Sequence, residues 1–215
     1  MSVHAKGPCT IGTMAVPGRV EAARILLSLD PPPWHLRHSR AVAEVAAWLA
    51  RRVERSGIAV QRSVVESAAL LHDIDKALPS DDASRALPHG DGSADWLTRH
   101  GFGELARIVA AHPVTRLLDE ERYRRWAAFA SREERIVAYA DKRTGQRLES
   151  MDARFASWER RYPEGWSAED RRTVRARAQG LERDVCAAAG VRPEEVGRLR
   201  WTSVALHEAR RRKAA

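Results

Sequence analysis

Six residues with cation-binding side chains stand where apolar ones belong: His38, His72, Asp73, His89, His112 and Asp141. His38 lies four before Val42 and seven before Val45, so it extends the apolar stripe of a helix toward its N-terminus. Leu105, Ile108, Val109 and His112 follow the spacing i, i+3, i+4, i+7, which puts the imidazole at the end of a second inward row. Asp141 is four after Val137, and His72-Asp73 closes the apolar run Ala68-Ala69-Leu70-Leu71. A buried carboxylate must protonate or find a partner, and several such groups near helix ends can share one. A metal centre meets that need. Imidazole nitrogens with carboxylate oxygens suit Fe, Mn, Co, Ni or Zn. With only two cysteines, Cys9 and Cys186, neither a disulfide framework nor a four-Cys zinc site can form. Adjacent residues on a helix diverge by about 100°, so His72 and Asp73 can reach one cluster only from a helix end. The two oxygens of Asp73 can bridge cations held about 3.5 to 4 Å apart.

The elements that must position these groups are helices. Apolar residues recur at three and four, without the alternation of a half-buried strand, so the expected fold is all-α. A first helix is expected from Pro17, at its N1 position, to about Leu29, ended by Asp30-Pro31-Pro32-Pro33. A second starts near Trp34 and stops at Gly57, which suits a C-cap. Others are expected at 61–77, 91–100, 103–112, 119–130, 132–144, 150–162, 167–189 and 193–212, with Ser167 and Asp170 as a capping box. The expected organisation is a loose tail over 1–16, a helical bundle over 17–162 and a basic helical extension over 163–215. Truncation near residue 163 is expected to leave the metal site formed.

The ordered series His38-Ser39-Arg40-Ala41-Val42, then Leu71-His72-Asp73-Ile74-Asp75-Lys76, His89-Gly90, His112, and Tyr139-Ala140-Asp141-Lys142 resembles the HD-domain metal-dependent phosphohydrolases over about residues 17 to 160. The extra His89 and His112 resemble the branch that binds two metals, including bacterial symmetrical diadenosine tetraphosphate hydrolases. That resemblance implies one divalent ion on His38, His72, Asp73 and Asp141, and a second on Asp73, His89 and His112. Iron or manganese is favoured, with cobalt, nickel, zinc or magnesium as alternatives. It also implies a bridging hydroxide as nucleophile, a catalytic role for Asp73 and Lys76, substrate binding by Lys76 and Arg116, and a small phosphorylated substrate of nucleotide type. Two positions depart from the pattern. Asp75 stands where many relatives carry Gly or Ala, and a carboxylate there can take Lys76 as a salt-bridge partner and weaken its phosphate role. Pro113 follows His112 where the diadenosine tetraphosphate hydrolases have Thr.

The net charge of +8 among 215 residues rests on arginine, since Lys6, Lys76, Lys142 and Lys213 are the only lysines. Arg171, Arg172, Arg175, Arg177 and the closing Arg210, Arg211, Arg212, Lys213 raise a competing possibility, a nucleic-acid-binding or nucleotide-sensing protein built on the same core with little or no turnover. No stretch approaches the roughly 20 apolar residues of a membrane helix, and the expected location is cytoplasmic. Nothing in the pattern specifies an oligomeric state. His35 is a weak candidate beside His38, while His4, His100 and His207 are expected at the surface. The seven tryptophans are scattered and expected to serve packing, with Trp34 and Trp96 nearest the candidate ligands. Cys186 sits in an apolar helical setting and is no nucleophile. There is no Gly-rich phosphate loop or Ser-centred elbow.

Overall fold

The computed structural model describes residues 16–161 and 165–213. Most of the tail over 1–16, with His4 and Cys9, and the break at Tyr162, Pro163 and Glu164 lie outside the described residues. Among the described residues ten α-helices follow one another: α1 (Arg19–Ser28), α2 (Pro33–Arg55), α3 (Arg62–Leu71), α4 (Asp91–Arg99), α5 (Gly103–Ala110), α6 (Glu120–Phe129), α7 (Arg132–Lys142), α8 (Met151–Arg161), α9 (Ala168–Ala189) and α10 (Thr202–Lys213). Among the described residues there is no strand, only an isolated bridge between Thr144 and Leu148.

The long α2 forms the spine because its apolar stripe is nearly continuous. Val42, Val45, Ala46, Leu49 and Val53 are all fully buried, against α3, α7 and α9. Its start is fixed by proline at the first helical position, where a missing amide costs no hydrogen bond. Its end is released at Gly57, whose φ of +79° suits a residue without a Cβ. Ser131 and Ser167 each form a capping box, with Glu134 and Asp170 respectively, that starts α7 and α9.

Three elements differ from the sequence expectation. α1 begins two residues later than expected, at Arg19, because the Pro17 carbonyl accepts the Ser67 hydroxyl at 2.5 Å and docks the chain onto α3. The helix expected over 61–77 stops at Leu71 and resumes as a 3-10 turn over Ile74–Ala77. The helix expected over 193–212 is a short 3-10 turn, Pro193–Glu195, then an extended stretch, then α10. In that stretch Leu199 donates its amide to the Glu44 carbonyl of α2 at 3.1 Å.

The chain beyond residue 165 shares the core of the rest. Val174, Leu181 and Val185 of α9 are buried, and α9 packs on α2 and α7. α10 packs on α1 through Ala205, Leu206 and Ala209.

Candidate metal centre

The break after Leu71 is what brings adjacent side chains to one place. Asp73 leaves helical geometry, at φ −101° and ψ 21°, so that it and His72 both turn inward. His38 comes from the second turn of α2, His112 from the residue after α5 and its C-cap, and Asp141 from the last turn of α7. His89 sits in the loop before α4, followed by Gly90 at φ +86°, where an added Cβ would lie 2.6 Å from Pro113. Pro113, the departure noted next to His112, therefore packs against the loop that carries His89. The structure thus brings all six residues together.

Asp73 is the hub. Its Oδ1 lies 3.2 Å from Nε2 of both His112 and His89 and 3.5 Å from Nε2 of His72, and its Oδ2 lies 3.4 Å from His38 Nε2. Asp141 Oδ1 stands 3.4 Å from His38 Nε2 and 3.8 Å from His72 Nε2. Three ligand groups result, each with donor atoms within 4.8 Å of one another: His38, His72 and Asp141; His72, Asp73 and His112; Asp73, Asp75 and His89. Asp73 belongs to two of them.

The opposite ring nitrogens explain why the Nε2 atoms face inward. His38 Nδ1 meets the Gly145 carbonyl at 2.7 Å, His72 Nδ1 the Ala69 carbonyl at 2.8 Å, His112 Nδ1 the Val109 carbonyl at 2.5 Å and His89 Nδ1 the Asp75 carboxylate at 2.7 Å. Each Nδ1–H donates to its acceptor, which aims Nε2 at the centre and makes it the lone-pair nitrogen when the imidazole is neutral. His38 and His72 then oppose Nε2 to Nε2 at 3.1 Å, as do His89 and His112 at 3.2 Å. Two lone pairs at that separation repel unless a proton or a cation stands between them, so the donor set fits a divalent ion.

Asp75 is the residue the sequence reasoning misplaced. A salt bridge to Lys76 is absent from the structure: Asp75 Oδ2 accepts from His89 and, at 3.1 Å, from the Gly90 amide, while Lys76 Nζ donates to Asp73 Oδ2 at 2.7 Å. Successive residues of a 3-10 turn point about 120° apart, so Asp75 and Lys76 cannot share a side. Lys142, passed over in the sequence, is fully buried and donates to the His112 carbonyl at 2.8 Å, tying α7 to that loop. Burial pushes its ammonium down to about 8.

Arg116 holds this loop from outside. Its guanidinium donates to the carbonyls of Ala110 at 3.1 Å and His89 at 3.2 Å and pairs with Asp91 at 2.7 Å. His35 is buried, with both ring nitrogens unpartnered among the described residues, and desolvation lowers it to about 4, so it stays neutral. Trp96 is buried and stacks on His100 at 3.7 Å, whereas Trp34 is 43% exposed at the rim of a cavity of about 360 Å³ that opens over His38, Asp73 and Lys76.

Protonation gives a testable signature. Burial alone would lower His38 and His89, but Asp141 and Asp73 on the first, and Asp73 and Asp75 on the second, raise both to about 9. At these two positions the folded chain without metal therefore binds more protons than the unfolded chain between about pH 6.5 and 9, and their contribution to stability is lost as pH rises through this window. Metal uptake requires neutral imidazoles. In chelator competition the apparent affinity for Mn2+ is expected to climb from pH 6.5 to about 9, by up to about two decades per pH unit if both protons leave. Over the same window the melting temperature of the metal-free chain falls from this contribution. An affinity independent of pH would contradict the protonation pattern.

A family model described as HD domain matches residues 36–145, more than half of the chain, which therefore belongs to the HD domain family. The family generally comprises metal-dependent phosphohydrolases. No curated protein and no solved structure matches the chain. No helix among the described residues is long and apolar enough to cross a membrane.

Proposed function

We propose that the chain hydrolyses a phosphate ester or anhydride of a nucleotide, with one divalent ion held by His38, His72, Asp73 and Asp141 and a second by Asp73, His89 and His112. The observation that carries the proposal is the convergence of four histidine Nε2 atoms on the Asp73 carboxylate. The two Asp73 oxygens face different partners, Oδ2 toward His38 and Oδ1 toward His89 and His112, which supports two ions over one. Nitrogen and oxygen donors without sulfur favour iron or manganese, with cobalt, nickel, zinc or magnesium as alternatives. Bound there, such ions make water a nucleophile near neutral pH and neutralise charge on phosphoryl oxygens.

The chain's own groups do the rest. Lys76 keeps its ammonium at the mouth of the cavity, oriented by Asp73 and 38% exposed, with N–H donors left for a phosphoryl oxygen. Asp73 and its neighbouring carboxylates keep it charged: burial alone would lower its pKa, and they raise it instead. Asp75 holds His89 in the tautomer whose Nε2 is free. Arg116, already engaged by three acceptors, supports the His89 loop and is left out of substrate binding.

Two of the α9 arginines that raise a nucleic-acid partner, Arg175 and Arg177, act within the fold. Arg175 pairs with Glu159 and Asp152, and Arg177 pairs with Glu120, donates to the Leu117 carbonyl and stacks over Tyr123.

The test is release of phosphate or a nucleotide product from a panel of nucleotides and aryl phosphates with Mn2+ or Fe2+, abolished by chelator. Full metal occupancy and nucleotide binding without product would instead make the chain a nucleotide sensor. Lys76→Ala is expected to keep the metal content and lower kcat/KM by about 100-fold, the effect of removing one preorganised donor. Unaltered kinetics would remove Lys76 from the site.

A further inference from the structure

The cavity over the metal centre has one end that the phosphate chemistry does not use. Beyond His38, Asp73 and Lys76 its lining includes Trp34 and Trp158 with Arg147, Arg154 and Arg161, and one further carboxylate, Glu149. Both tryptophans lie outside the stretch 36–145 matched by the family, so this wall belongs to flanking segments of this chain.

Both indoles are held by rigid supports. Trp158 carries the Arg154 guanidinium over its ring at 4.4 Å and meets Phe155 edge-on at 5.2 Å. Arg154 is itself buried and anchored by a 2.8 Å bond from Nε to the Thr144 carbonyl. Trp34 follows Pro33 in the first turn of α2 and leans on the His35 ring at 5.5 Å. Trp96 and Trp201 are buried in the core; Trp34, 43% exposed, and Trp158, half-buried with one side packed on the core, border the polar cavity. Prepositioned aromatic surface in a groove lined by cations is the arrangement that takes the flat face of a base.

We propose that Trp34 and Trp158 form a stacking subsite for the aromatic base of a nucleoside monophosphate whose phosphate reaches Lys76 and the histidine–aspartate cluster. The placement of the phosphate rests on the phosphohydrolase proposal; the stacking of the base does not. A cavity of about 360 Å³ sits at the low end of the roughly 300 to 1,000 Å³ typical of small-molecule sites, which favours one nucleoside unit over a dinucleoside polyphosphate. Arg161, at the end of α8, has no carboxylate partner among the described residues, and Arg147 meets Glu149 only at 4.0 Å with 84% of its side chain exposed. Either suits the polar edge of the base or a further phosphate.

The test compares AMP with ribose 5-phosphate, which lacks the base. Calorimetric titration of the full chain in chelator gives both dissociation constants without turnover, and KM values with Mn2+ give the same comparison under turnover. AMP is expected to bind about 5-fold or more tightly than ribose 5-phosphate, as one stacked base provides. In Trp34→Ala and Trp158→Ala that ratio should collapse toward one, and Trp34→Phe should keep most of it. Equal affinity for the two ligands in the parent chain, or an unchanged ratio in both alanine variants, overturns the subsite. Should Trp158→Ala fail to fold, the Trp34 pair of variants and Trp158→Phe decide the matter alone. A base preference without hydrolysis of either ligand under any metal would sink the hydrolase and leave the subsite standing; hydrolysis without base preference would do the reverse.

Discussion

Asp73→Ala is expected to leave the purified chain with at most a trace of divalent metal and to lower phosphate-ester hydrolysis by about three orders of magnitude or more. The size follows from position: its two oxygens face four imidazoles, so its removal takes one donor from each of two ligand groups at once. Loss of a single preorganised electrostatic partner in an active site costs about 3 to 4 kcal/mol, and this one also orients Lys76. Asp141→Ala is the instructive contrast. In the proposed assignment Asp141 holds one ion only and Asp73 holds both, so Asp141→Ala should retain one ion per chain while Asp73→Ala retains neither. Elemental analysis of both variants beside the parent gives the stoichiometry, and circular dichroism reports whether the helices persist. Two ions per chain in Asp73→Ala would end the bridging role.

The contrast between Asp73 and Asp75 also marks what could be read from the chain before its structure. His38, His112 and Asp141 announce themselves because a period of 3.6 puts them on apolar rows, and burial of an ionisable group is a signal visible in one dimension. His72 and Asp73 follow from being the polar end of an apolar run. Asp75 does not, because its role depends on the direction of a 3-10 turn and on a loop fourteen residues away, neither of which leaves a periodic trace. The same limit applied to helix ends. The Pro31-Pro32-Pro33 break and the Ser167 capping box carry local chemistry and stand where they were expected. The end of α3 at Leu71 and the gap before α10 are imposed by tertiary contacts, the inward turn of Asp73 and the grip of the Leu199 amide on Glu44. Trp158 had a usable signal that went unused: Arg154 stands four residues earlier, the spacing that stacks a cation on a ring along one helical face.

The second large effect concerns the C-terminal 50 or so residues, which sequence alone presents as a removable extension. Removal of residues 163–215 is expected to abolish cooperative unfolding and metal uptake together. α9, α10 and the stretch between them contribute Val174, Leu181, Val185, Val196, Trp201 and Leu206 to the core, all at least nine-tenths buried. At about 1.5 to 3 kcal/mol for each large side chain, their loss matches or exceeds the roughly 5 to 15 kcal/mol by which a domain is stable. The damage reaches the metal centre through α7. Tyr139, two residues before Asp141, donates its hydroxyl to Glu182 of α9 at 2.7 Å, and Arg143, two after it, reaches Glu182 at 3.3 Å and the Pro193 carbonyl at 3.1 Å. Without α9 these groups lose the partners that hold the last turn of α7, where Asp141 sits. A graded variant measures the same coupling in a folded chain. Leu181→Ala is expected to cost about 2 to 5 kcal/mol and lower the melting temperature by about 5 to 15 °C. It should also weaken metal binding, although Leu181 touches no proposed ligand. A chain truncated at residue 162 that melts cooperatively within a few degrees of the parent and still takes up metal would show that the core over residues 17 to 162 closes by itself.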